Sequence, residues 1–268
     1  MTYQPVVPFN GYSGWLFLNR TREAQQEAFD QSASVQRNEE YFRENIAEVT
    51  SAEQLVSDRQ LLEVALGAFG LDEDIDNKYF IQKILEDGSL DDDALANKLT
   101  DKRYLAFTQA FGFGDFSTPR TTLSEFPDEI LSAYKDKQFE IAVGNQDADM
   151  RLALGLDREL SDIASLDTSE AGMWFSVMGN TPVRTVFETA LNLPTSVGAL
   201  NVDKQLEIFQ ERAEAMFGSS DVAQFADAEK REDLVQRFLM QSQINAGYTG
   251  YSSASAALTL LQSSATFY

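Results

Sequence analysis

Residues 59–66 read Arg59-Gln60-Leu61-Leu62-Glu63-Val64-Ala65-Leu66, and residues 184–191 read Arg184-Thr185-Val186-Phe187-Glu188-Thr189-Ala190-Leu191. Arg, two apolar residues, Glu, Ala and Leu recur at the same offsets. A repeated unit of this kind points to an architecture assembled from two similar helical pieces. Arg and Glu stand four residues apart in each copy and so share one helix face. Glu following Arg is the weaker order for an intrahelical pair. The expectation is therefore a structural ion pair, Arg59 with Glu63 and Arg184 with Glu188, drawn in between packed helices. If Arg59 is fully buried, replacing it by Ala would cost about 3–5 kcal/mol.

Working outward, the periodicity is helical almost throughout. Trp15, Leu18, Gln25 and Phe29 suggest a first amphipathic helix after Gly14, and Tyr41, Phe42 and Ile46 a second. Thr50-Ser51-Ala52-Glu53 has the form of a capping box opening a helix through Leu55, Leu61 and Phe69. Gly70 fits the left-handed position just beyond its end. Asp72, Asp74 and Asp76, and then Asp91, Asp92 and Asp93, gather where a helix N-terminus favours acids. Gly112, Gly114 and Pro119 break the pattern, and residues 115–126 read as a loop or hinge. Pro127 opens a long helical pattern through Leu160. Asp167-Thr168-Ser169-Glu170 and Thr181-Pro182 look like further helix starts, and helices continue to about Gln243. No run of period-two, β-branched residues announces a strand. Ile81 and Ile84 match Leu206 and Phe209 at the offset of the repeat. The expected fold is an all-α multi-helix bundle of two pseudo-repeated units. The N-terminal unit spans 1–114, the hinge 115–126 and the C-terminal unit 127–244. A tail follows over 245–268, linker-like in composition up to 256 and then briefly apolar around Leu258, Leu260 and Leu261.

The chain has 268 residues, 43% of them hydrophobic, enough for a sizeable core. Its net charge of −22 makes nucleic acid and anionic lipid poor partners. There is no Cys and no His, which excludes disulfides, thiolate nucleophiles, Ser-His-Asp chemistry and imidazole metal ligands. No apolar run reaches the roughly 18–20 residues needed to span a bilayer. The N-terminus lacks the basic and apolar regions of a secretory signal, so the expectation is a cytoplasmic protein, or one exported without such a signal.

Chemistry-bearing motifs do not mature. Asp72-Glu73-Asp74-Ile75-Asp76 begins like a calcium loop, which needs Gly at its sixth position and Glu at its twelfth; Asn77 and Lys83 stand there. Ser132-Ala133-Tyr134-Lys135 has a Ser-x-x-Lys spacing without its companion motifs. Asp167-Thr168 is followed by Ser169 and has no second copy, and Gly112-Phe113-Gly114 lacks a third glycine. The residues predict no catalytic, cofactor-binding or metal site, and no cofactor. The alternative reading is a carboxylate-dependent hydrolase with no identifiable site.

The stretch from Asp58 through Leu71 resembles the signature of an alphaproteobacterial family of unknown function, numbered 1217. Leu99-Thr100-Asp101-Lys102-Arg103-Tyr104, Gly11-Tyr12-Ser13-Gly14-Trp15-Leu16-Phe17-Leu18, Phe187 through Pro194 and Asp203-Lys204-Gln205 are similar to it as well. That family carries no established activity, so no site transfers. Its members are often encoded among flagellar genes, which implies a flagellum-associated role. The resulting expectation is a non-enzymatic interaction or structural accessory protein whose partners are other proteins, flagellar components among them. Leu258, Leu260 and Leu261, and after them Trp15 and Phe17, are the expected partner contacts. The sequence sets no oligomeric state.

Overall fold

Helix starts and stops are set by short polar side chains and a few glycines. The computed structural model describes residues 3–250. Among them are thirteen α-helices and five short 3-10 turns, with no strand, so the protein is all-α. It divides into two units. One holds the chain up to Val7 together with Leu18–Arg151, and the other holds Pro8–Phe17 together with the chain from Leu152 onward.

The first unit contains most of α1 (Gly11–Asp30), then α2 (Ala33–Asn45), α3 (Ala52–Ser57), α4 (Arg59–Ala68), α5 (Lys78–Asp87), α6 (Leu95–Lys98), α7 (Arg103–Phe111) and α8 (Phe126–Gly144). The capping residue of α3 is Ser51, one residue later than expected: its hydroxyl accepts from the Gln54 amide, and Gln54 reaches back to the Thr50 amide at 2.7 Å. The expected single helix over 52–69 is broken at Asp58, whose carboxylate accepts from the amides of Gln60 (2.9 Å) and Leu61 (3.0 Å) and so starts α4 afresh. Gly70 has φ +68°, and Leu71 and Gly70 donate to the carbonyls of Leu66 and Gly67, closing α4 in a Schellman motif.

The first copy of the repeat is buried along α4 at Leu61, Leu62, Val64, Ala65 and Leu66. It packs against α2 and α8. A Cβ on Gly67 would lie 2.9 Å from the Tyr134 ring, so glycine is what lets α8 come this close. Phe107, Phe111 and Phe126 form a second patch of core with ring centroids 5.0–5.1 Å apart. The N-terminal segment is tied down by buried Gln25, which accepts from the Val6 amide at 2.6 Å and donates to the Val6 carbonyl at 3.2 Å. Residues 115–125 form a loop with a 3-10 turn at Arg120–Thr122, and Phe126 already begins α8. Thr121 pins that loop inside the first unit by donating to the Val49 carbonyl at 2.6 Å. The division between the units therefore falls at Arg151–Leu152, after α8 has packed on α4, and not in the 115–126 stretch.

The second unit contains α9 (Ala148–Ala164) from Leu152 on, α10 (Glu170–Gly179), α11 (Thr181–Ala190), α12 (Val202–Phe217) and α13 (Ala228–Gly250). Ser169 and Asn180 cap α10 and α11 by accepting from the amides of Gly172 and Val183. The second copy of the repeat forms α11. It stops at Ala190, where Asn192 (φ 51°) takes the left-handed position beyond the helix end. The core is aromatic: Trp174 meets Phe187 at 5.5 Å and Phe209 at 5.8 Å, and Phe225 meets Phe187 and Phe217. Leu234, Val235, Phe238 and Leu239 anchor α13 in that core. Once so anchored the helix extends at little further cost. It runs to Gly250, so residues 245–250 are helical where composition reads as linker. Leu258, Leu260 and Leu261 lie outside the described residues.

Candidate functional site

The two repeated arginines behave differently. Arg184 donates to Glu188 at 2.7 Å, to the buried Gln205 side chain at 2.8 Å and to the Met178 carbonyl at 3.4 Å. Its guanidinium also lies 5.9 Å from the Phe209 ring centroid. One side chain thus joins α10, α11 and α12, and Gln205 passes the link on to the Leu200 carbonyl at 2.7 Å. The side chains of Arg184 and Glu188 are 23% and 26% exposed. Arg59 does not pair with Glu63. It meets Asp76 at 2.9 Å, with both side chains mostly in solvent at 61% and 80%. Glu63 instead accepts from Asn38 at 3.3 Å. The expectation that Arg59 is withdrawn from water is overturned: its side chain reaches beyond the helix to Asp76 and stays 61% exposed.

The acids between α4 and α5 serve as anchors for neighbouring elements. Asp72 accepts from Gln138 at 2.7 Å, Asp74 from the Tyr104 hydroxyl at 2.6 Å, and Asp76 from Arg59. Burial, with the Asp74 hydrogen bond behind it, pushes the Tyr104 phenol up to about 12.

Trp15 is buried, and its indole N–H is shared between both oxygens of Glu232 at 3.1 Å. The Tyr12 hydroxyl donates to the same carboxylate at 3.0 Å, and burial followed by that bond raises the Tyr12 phenol. Trp15 is therefore committed to its own unit and is corrected as a partner contact; an N–H-bearing ring beside a carboxylate gains more from that bond than from exposure. Phe17 is half-buried.

The open surface of the second unit lies elsewhere. A groove of about 470 Å³ runs along α13, lined by Met216 of α12 and by Asp233, Arg237, Met240 and Ile244, and closed at one side by Ala190 and Asn192. Met240 and Ile244 are 49% and 48% exposed. Arg237 is held over the Phe217 ring at 5.3 Å. Gln236 and Gln241 also line it, so thioether and aliphatic side chains alternate with amides, one guanidinium and one carboxylate, a mixed surface that can seat an apolar side chain beside polar contacts. Reading the chain as ending its helices at Gln243 hid this pair. The signal present in the sequence was Met240 and Ile244, four residues apart and therefore on one helix face.

No curated protein matches the chain. The crystal structure of protein AGR_C_984 from Agrobacterium tumefaciens, a structural-genomics target, is similar to it with a TM-score of 0.73 and 25% sequence identity, over 90% of this chain and 99% of that one. The model of a family described as protein of unknown function, DUF1217, matches residues 68–230. By that match, which runs from the end of α4 to the start of α13 and covers more than half of the chain, the chain belongs to the DUF1217 family.

Proposed function

We propose that the protein is a non-enzymatic interaction or accessory structural protein acting with the flagellum, reached from the cytoplasm or by signal-independent export. The observation that carries the interaction reading is the α13 groove: Met216, Met240 and Ile244 offer open apolar area beside a single carboxylate, Asp233. Glycosidic hydrolysis works with two facing carboxyl groups roughly 5–10 Å apart, so the groove suits contact better than that chemistry. The flagellar part rests on the gene neighbourhood typical of the family it belongs to.

The test is a clean gene deletion scored for swimming and for filaments, complemented with wild-type protein and with Met240→Asp/Ile244→Asp. Loss of motility that only the wild-type gene restores is the expected result. Normal swimming and normal filaments in the deletion strain would remove the flagellar role.

A further inference from the structure

Two loops of the first unit are fastened to each other through one carboxylate. Asp115 accepts from the amides of Ser89 (2.6 Å) and Leu90 (3.1 Å) and from the Ser89 hydroxyl (2.8 Å). A Cβ on Gly114 would lie 2.5 Å from the Glu86 carbonyl oxygen, so the two backbones touch there. Asn97 also holds the first loop, donating to the carbonyls of Ser89 and Asp91 at 2.8 Å each. What these polar bonds hold up is apolar. Leu90 is 73% exposed, and Phe116, the residue after Asp115, is 52% exposed. Single exposed apolar residues are ordinary on a surface, but two large ones on loops fastened to one carboxylate form a fixed apolar patch.

The charge around that patch has one sign. Residues 84–97 hold five acids, Glu86, Asp87, Asp91, Asp92 and Asp93, and no Lys or Arg; residues 104–119 hold one charged side chain, Asp115. Lys83 and Lys98 match Asp87 and Asp93. Asp91 and Asp92 are exposed and form no ion pair among the described residues.

We propose that this patch docks a basic, apolar segment of another protein: an apolar side chain seats against Leu90 and Phe116 while Lys or Arg beside it meets Asp91 and Asp92. This surface shares no residue with the α13 groove and does not depend on it. Charge selects the occupant. A second copy of the chain would set acid against acid, and an anionic lipid surface would be repelled. An uncharged apolar segment would cover Leu90 and Phe116 but leave the neighbouring carboxylates partly desolvated and unpaired. Asp115 and Asn97 already hold the loops in place, so little ordering remains to be done when the partner arrives.

The experiment uses the full chain and, as probe, a synthetic peptide of about fifteen residues with Leu at helical spacing and Lys between. Binding is followed by fluorescence anisotropy and located by amide NMR shifts. The peptide should bind, should weaken as salt rises, and should move the amides of residues 89–92 and 115–118. Leu90→Ser keeps the charge and removes the anchor, and should weaken binding by about tenfold or more. Leu90 is exposed, so that variant should keep the circular dichroism of the wild type. Asp91→Asn/Asp92→Asn should weaken binding and flatten its salt dependence. Tyr79→Ser, at another exposed aromatic, should stay within about twofold of the wild type. A peptide that fails to bind, shifts confined to α13, or equal binding by Leu90→Ser overturns the proposal. Equal binding of a peptide with Gln in place of every Lys overturns the basic partner. Self-association of the chain, or its binding to anionic vesicles, that Leu90→Ser abolishes would give the patch a different occupant and overturn the proposal as well.

Discussion

Replacing Arg184 by Ala separates a structural arginine from a decorative one. The substitution removes the Glu188 pair at 2.7 Å, which at 23% and 26% exposure is partly screened and contributes about 0.5–1 kcal/mol. It also leaves the carbonyl oxygen of Gln205, a residue 8% exposed, without its donor, at a cost of about 1–3 kcal/mol. The expected loss is about 1.5–4 kcal/mol, which for a protein of this size lowers the melting temperature by about 2–4 °C for each kcal/mol. The matched control is Arg59→Ala, whose pair with Asp76 is 61% and 80% exposed; that change should stay within about 0.5 kcal/mol. Urea unfolding followed by circular dichroism reads both. A double-mutant cycle between Arg184→Ala and Gln205→Ala should show strong coupling, because the two side chains share one hydrogen bond. Equal, small effects at Arg184 and Arg59 would refute the reasoning, as would additivity between Arg184 and Gln205.

Other consequences are open to direct measurement. Gly67→Ala places a methyl group 2.9 Å from the Tyr134 ring and should destabilise the first unit by about 1–3 kcal/mol, read as a lower melting temperature. Glu39 is raised by burial, but its hydrogen bonds to Lys135 and Arg43 outweigh this and hold it below its ordinary value of 4.5. A carboxylate depressed in the folded state adds stability above its unfolded pKa and loses it as pH falls through the folded one. Glu39→Gln should therefore flatten the fall in stability below about pH 4.5, and an unchanged acid limb would count against that assignment. Glu232→Ala removes the acceptor of Trp15 and Tyr12 and should cost about 1–3 kcal/mol, with a change in the Trp15 emission of a Trp174→Phe background.

Where a signal was local, the sequence disclosed it. Gly70 ends α4 because only a residue at ease with positive φ fits there, and Ser169 and the turn before Thr181 start helices as their side chains suggest. The all-α class followed from periodicity alone. What failed was pairing at a distance. Nothing in Arg59-x-x-x-Glu63 tells that Asp76, beyond the end of the helix, is the better partner, nor that Arg184 has Gln205 within reach. Asp58 and Asp147 split patterns that read as continuous helices, because a short acid competes with the helix for the following amides just as well inside an apolar run as before one. The unit boundary was misplaced for a related reason: a loop rich in Pro, Thr and Ser resembles a hinge, and only the Thr121 bond to Val49 and the packing of α8 on α4 reveal it as interior punctuation. The groove on α13 was not legible because it needs Ala190, Asn192 and Met216, distant in sequence, brought beside Met240 and Ile244.

The placing of Trp15 has a kinetic side. Its carboxylate partner is 217 positions away in sequence, and Pro8–Phe17 are needed to complete a unit otherwise built from Leu152 onward. During synthesis the first unit has all of its own residues once Arg151 has emerged. The indole must wait until α13 has left the ribosome, and its docking closes a loop of 217 positions. Until then the aromatic ring stays solvent-facing on a nascent chain, the kind of transient apolar exposure that chaperones attend to. A polypeptide lacking the residues up to Phe17 would leave Glu232 without two of its donors, so the segment Pro8–Phe17 governs how α13 settles.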